Sequence, residues 1–221
     1  MNNLVLRIIS AAVLAPVAIW ITYLGGWPFA IFWGAAAAAV LWEWTKLVEG
    51  VNWVAAGICY AGVLFAAPVI LRHDAELGFF AIIFLFAVVW TTDIAGYFAG
   101  RAIGGPKLMA AVSPKKTWSG AVAGTIGAMI LAVLVARLFG SFNSTAIASI
   151  ALLLSVVSQL GDLLESWIKR RFGAKDASGL IPGHGGVMDR LDGFWAAALV
   201  ACLIGLLRGG FDGATRGLLV W

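Results

Sequence analysis

Residues 145–169 read TAIASIALLLSVVSQLGDLLESWIK. The first half is apolar. The second half places Ser158, Asp162, Glu165, Ser166 and Lys169 at offsets of 0, 4, 7, 8 and 11, which fall on one face of an α-helix. The segment is long enough to cross a bilayer core, which takes about 20 residues. A charged stripe facing lipid is too costly, so this one predicts a helix whose end lines a polar interior site. Read structurally, Ser158 and Ser166 are interhelical hydrogen-bond formers, a reading that leaves Asp162 unexplained.

Composition agrees with a membrane chain. Apolar residues make up 62% of the 221 and charged residues 12%, against about 45–50% and 25% in soluble domains. Mean hydropathy is +0.97. Too few charges remain for a water-exposed surface, which excludes a disordered chain, a coiled coil, a disulfide scaffold and a free nucleic-acid binder. The net charge of +4 reflects orientation and anionic ligands in such a chain. Cys59 and Cys202 lie in apolar runs and read as free, inert thiols. There is no Cys/His metal spacing and no 20–50-residue repeat.

Seven spans are predicted, at 8–24, 28–48, 52–71, 77–99, 119–139, 145–168 and 193–211. The expectation is an all-α, polytopic transmembrane helix bundle with a cytoplasm-facing polar cavity. It is one integrated membrane domain, with N-terminal transmembrane helices over 1–76 and a catalytic transmembrane region over 77–221. The first span follows Arg7 like a signal peptide, but it is long for one and lacks a small-x-small cleavage site, so it reads as an uncleaved helix. A re-entrant hairpin at 28–48 is the alternative for the second span.

Basic residues set the orientation. With the N-terminus in the cytoplasm, that side carries Arg7, Lys46, Arg101, Lys107, Lys115, Lys116, Lys169, Arg170, Arg171, Lys175 and Arg190, eleven of the 15 Lys and Arg residues. Arg72, Arg137, Arg208 and Arg216 fall opposite. Asp93, Asp162, Glu165, Asp176, Asp189 and Asp192 join the basic side. For one acid alone, interfacial ion pairing is the better reading. Six acids among eleven bases favour a polyanion–metal site.

Two upstream segments add to that site. Asp93, Tyr97 and Arg101 share one face of the fourth span, while Gly96, Gly100 and Gly104 form a small-residue ridge for close helix packing. Gly100–Lys107 reads GRAIGGPK, a near miss to a phosphate-binding P-loop. The lysine is one place late, no Ser or Thr follows and no strand precedes, so a Walker site is rejected. Ser113, Lys115, Lys116 and Thr117 open the next helix and suit a phosphate clamp. On its own, that segment reads better as an ordinary positive-inside flank with a Ser-Pro helix start.

The last loop is the most specific. From Ser166 to Asp192 it reads SWIKRRFGAKDASGLIPGHGGVMDRLD. Glycines around His184 allow backbone close to a ligand. This stretch resembles the signature of the phosphatidate cytidylyltransferase (CDP-diacylglycerol synthase) family. The pattern is S, a gap, K-R, four residues, K-D, then P-x-H-G-G, a gap, and D-R-hydrophobic-D, matched over 27 positions without insertion or deletion. Asp93–Leu108 and Ser113–Gly120 also resemble the family, although Gly105 stands where many members carry a basic residue and Ser119 where they carry Glu or Gln.

The resemblance implies an integral membrane nucleotidyltransferase of phospholipid biosynthesis. Such enzymes join CTP and phosphatidic acid into CDP-diacylglycerol and release pyrophosphate. They depend on magnesium, with a second cation left open, and are homodimers of the inner (plasma) membrane with a cytoplasmic active site. The family's metal-binding aspartates match Asp162 and Asp189. Lys116, Lys175, His184 and Arg190 join them as expected catalytic residues. Substrate binding is expected from Asp93, Arg101, Ser113, Lys115, Lys116, Thr117, Lys169, Arg170, Lys175, Asp176, His184, Gly185 and Gly186, and Asp192 and Glu165 support the ligands. Three rivals remain: a CTP-dependent polyprenol or phytol kinase, which releases CDP; an anion transporter, disfavoured by the lack of an inverted repeat; and an inactive membrane subunit.

Overall fold

The computed structural model describes residues 3–181 and 185–221, with residues 3–9 and 11 as backbone only. Seven long helices follow in order: α1 (Asn3–Leu24), α2 (Gly26–Leu47), α3 (Val51–Arg72), α4 (Gly78–Ile103), α5 (Trp118–Phe139), α6 (Ser144–Arg171) and α7 (Met188–Gly209). A short helix, α8 (Ala214–Leu219), closes the chain. Between α4 and α5 lies an antiparallel hairpin of β1 (Lys107–Met109) and β2 (Ser113–Thr117), with Lys107 opposite Thr117 and Met109 opposite Ser113.

The long helices fall on all seven expected segments, and α2 is one continuous helix rather than a re-entrant hairpin. Among the described residues, five helices, α3 to α7, are long and apolar enough to cross a membrane. This corrects the expected count of seven. The apolar stretch described in α1, Ala12–Leu24, is shorter. In α2, four tryptophans (Trp27, Trp33, Trp42 and Trp44) together with Glu43 and Lys46 lower its apolarity. The five spans make the chain an integral membrane protein.

Packing of α4 against α5 rests on missing side chains. Gly120, Gly124, Ala128, Ala132 and Ala136 are buried at every fourth residue of α5. A Cβ on Gly124 would lie 2.5 Å from the Thr92 carbonyl oxygen, and one on Gly120 would lie 2.5 Å from that of Gly96. Backbones therefore approach closely enough for dispersion to hold the pair, the usual basis of helix association in lipid. Gly96 and Gly100 belong to this ridge as expected. Gly104 does not, because it terminates α4 at φ 69°, where an added Cβ would meet nothing within 4 Å.

The N-terminal helices join the rest through α7. Trp33 stacks on Phe194 at 4.7 Å and Tyr60 on Trp195 at 4.2 Å. Trp195 Nε1 also donates to the Tyr60 carbonyl at 2.9 Å. At the end of the bundle with fewer charges, Arg72 donates to the carbonyls of Thr22 and Tyr23, tying α3 to α1. There α8 folds back: Thr215 donates to the Leu71 carbonyl at 2.7 Å, and Arg216 pairs with Asp74 and Glu76 at 3.0 and 2.6 Å. Burial pushes the Asp74 carboxyl up, but the Leu77 and Glu76 amides and the Arg216 guanidinium outweigh it and hold Asp74 below the usual carboxylate range.

Candidate active site

At the other end, α4, the hairpin, α5, α6 and α7 enclose a cavity of about 980 Å³. The chain reaches it in three ways. Helices α6 and α7 run past their expected edges, so Lys169 and Arg170 sit in the last turn of α6, and Asp189 and Arg190 in the first turn of α7. The sequence Gly104-Gly105-Pro106 ends α4, with both glycines at positive φ, and turns the chain into β1. The lysines of the proposed clamp consequently lie on β2, not in the first turn of a helix. Thr117 instead caps α5, its Oγ1 accepting from the Gly120 amide at 3.2 Å.

All six acids of the basic side line this one cavity: Asp93, Asp162, Glu165, Asp176, Asp189 and Asp192. So do Arg101, Lys107, Lys115, Lys116, Lys169, Arg170, Lys175 and Arg190, together with Ser113, Thr117 and Ser166. Residues from four helices and a hairpin, up to a hundred positions apart in the chain, thus meet in one charged chamber. Tyr97 lines it too, and its hydroxyl accepts from Arg101 at 3.3 Å. His184 lies outside the described residues.

Within the chamber the two key aspartates differ in setting. Asp162 is ion-paired with Lys116 of β2 and accepts from Ser166 at 3.3 Å. Its side chain is 26% exposed and that of Lys116 30%. Asp189 sits deeper, at 5%. It accepts from Lys169 at 2.5 Å and from the amides of Ala177 at 3.0 Å and Gly186 at 2.7 Å. Lys169 also reaches Glu165 at 2.6 Å, so one buried ammonium bridges two carboxylates.

Gly185 and Gly186 do not appear in the described lining of the cavity. They form the wall behind it. Gly185 has φ 86°, and a Cβ there would stand 2.8 Å from Asp189 Oδ2. A Cβ on Gly186 would stand 2.7 Å from Glu43 Oε1. The glycines do allow close approach to the backbone, but by the protein's own carboxylates.

Sequence reading missed Glu43 and a polar network under the chamber. Thr92, Thr125, Ser155 and Gln159 are hydrogen-bonded across α4, α5 and α6. An acid inside a tryptophan-rich helix was the available signal for Glu43, since such groups are rarely placed without a partner.

The donors suit a hard divalent cation, because carboxylates and phosphates are its preferred ligands. Among the described residues no three His, Cys, Asp or Glu side chains converge to hold an ion on their own. An ion bound here would be held by one or two carboxylates and completed by substrate phosphates and water.

A membrane-embedded helical protein with a chamber of interleaved acids and bases at one end defines an enzyme that handles polyanions at a lipid interface. A model of the cytidylyltransferase family matches residues 49–207, and the chain belongs to that family. A Brucella suis protein named phosphatidate cytidylyltransferase is 42% identical over 94% of this chain and 95% of its own. A Rickettsia bellii protein of the same name is 33% identical over 86% of each, and one from Haemophilus influenzae is 43% identical over 62% of this chain and 49% of its own.

Proposed function

We propose that the protein transfers the cytidylyl group of CTP to phosphatidic acid, giving CDP-diacylglycerol and pyrophosphate. The observation that carries this reading is the convergence of Asp162, Asp189 and Lys116 on one chamber at the ends of spanning helices. The lipid tails can stay in the bilayer there while the headgroup meets a soluble triphosphate.

The nucleophile is the lipid phosphate. A phosphate monoester has a second pKa of about 6, so it is charged near neutral pH and needs no strong base. One of its oxygens forms a bond to the α-phosphorus of CTP. The bond from that phosphorus to the β-phosphate oxygen breaks, and pyrophosphate leaves. The obstacle is repulsion between two anions. Lys107, Lys115 and Lys116 on the hairpin oppose it from one wall, and Lys169, Arg170, Lys175 and Arg190 from the other. Ser113 supplies a hydroxyl donor for a phosphate oxygen. His184 is a further candidate donor from the signature loop.

Asp162 and Asp189 would hold magnesium, with Asp93, Glu165 and Asp192 around them. When bound, the ion stabilises charge on the transferring and leaving oxygens. The proposal puts the chamber on the cytoplasmic side of the cell's inner membrane, where CTP is available and where the Lys and Arg bias of the sequence would set it, and the family resemblance extends it to a homodimer.

The test is incubation of purified protein with CTP, phosphatidic acid and magnesium. A liponucleotide and stoichiometric pyrophosphate are expected. Release of CDP would assign the protein to the lipid-kinase rival instead.

A further inference from the structure

Glu43 is fully buried, yet it lies on α2, outside the charged chamber and outside the segment matched to the family model. It forms no ion pair among the described residues. Its carboxylate instead accepts three hydrogen bonds from one short stretch of chain. Oε1 accepts from the Ser178 hydroxyl at 2.5 Å and the Val187 amide at 2.8 Å, and Oε2 from the Met188 amide at 2.7 Å.

Those amides belong to the start of α7, which has no side-chain cap of its own. The first N–H groups of a helix have no partner within it and carry its positive end. Glu43 thus caps α7 from another helix, 144 residues away in sequence. Asp189 makes the complementary set of contacts, to the neighbouring amides of Ala177 and Gly186. The two carboxylates grip adjacent positions in the same two stretches of the signature loop, Ala177–Ser178 and Gly186–Met188. Gly186 is the residue that leaves Glu43 room to do so.

We propose that Glu43 is a positioning residue, which fixes the first turn of α7 and the Ala177–Ser178 segment so that the Asp189 carboxylate faces the substrate phosphates. The inference rests on the cytidylyltransferase reading above, and it assigns α2 a part in the site. Glutamine at position 43 has one acceptor oxygen, and its amide NH₂ faces a donor, so it cannot reproduce the grip.

The experiment compares wild type, Glu43→Gln and Ser178→Ala by steady-state kinetics and by hydrogen exchange of the folded proteins in detergent. Replacing a group that orients a ligand costs about 10- to 100-fold in activity. Glu43→Gln should lose that much in kcat with a smaller change in KM, and exchange of the Val187 and Met188 amides should quicken while the α4–α5 contact at Gly96 and Gly120 is unchanged. Ser178→Ala leaves no new buried charge and should show the same pattern, weaker. Normal kcat in both variants would overturn the proposal, as would faster exchange throughout the bundle in step with lost activity. If Glu43→Gln does not fold, Ser178→Ala decides: local quickening with a fall in kcat supports the proposal, and wild-type behaviour refutes it. Absence of transfer by wild type would refute the function instead, and the exchange data would still report on the grip.

Discussion

Lys169 holds the deepest part of the chamber together, and its removal should be felt throughout the protein. Its ammonium lies 2.6 Å from Glu165 and 2.5 Å from Asp189, with side-chain exposures of 10, 1 and 5% for the three groups. Lys169→Met keeps most of the stem and its packing but leaves two buried carboxylates facing each other. Breaking a buried pair from one side costs about 3–5 kcal/mol, because the remaining charge has lost its partner. For a chain of 150–250 residues each kcal/mol moves Tm by about 2–4 °C, so Lys169→Met should melt about 6–20 °C below wild type. The assay is thermal unfolding of purified protein in one detergent at one pH. The double variant Lys169→Met/Glu165→Gln removes one of the stranded charges and should recover at least half of the loss, a coupling that independent sites do not show. A Lys169→Met protein melting within about 1 °C of wild type would refute the reasoning, since the smallest penalty expected is several-fold larger. A double variant no more stable than the single would refute the assignment of the penalty to stranded charge.

Lys116→Ala should leave folding intact, because Lys116 and Asp162 are partly exposed. It should lower kcat/KM for CTP or phosphatidate by about 10- to 100-fold through lost phosphate neutralisation, measured by initial rates against each substrate. Gly124→Ala drives a methyl group toward the Thr92 carbonyl and should destabilise the α4–α5 pair by about 1–3 kcal/mol in denaturant unfolding. Asp74 predicts the direction of a pH effect. Its folded pKa is depressed, so its contribution is fully present above the unfolded pKa and is lost as pH falls through the folded value. Wild type should therefore exceed Asp74→Asn in Tm at neutral pH, and the gap should close on acidification.

The bundle was legible because hydropathy and length report directly on lipid exposure. The polar stripe over Asp162, Glu165, Ser166 and Lys169 marks the chamber's α6 wall in the sequence, and all six acids are placed by the helix end or loop that each one occupies. Three features were not legible, each for a local reason. The hairpin has only three and five residues per strand, too short for an alternating pattern to register. The early start of α7 is hidden because its cap, Glu43, comes from a distant helix. The roles of Gly185 and Gly186 depend on which carboxylates approach them, and spacing along the chain does not reveal that.

The central claim is that Asp162 on α6 and Asp189 on α7 serve one reaction centre. The direct measurement is magnesium-dependent cytidylyl transfer by Asp162→Asn, Asp189→Asn and the double variant, each shown to be folded. Groups that act as a unit are strongly non-additive. Each single variant should lose at least about 100-fold, consistent with several kcal/mol of charge stabilisation from one metal site, and the double should lose little more than either. Losses that multiply in the double variant, or near-normal turnover in either single variant, would contradict the account.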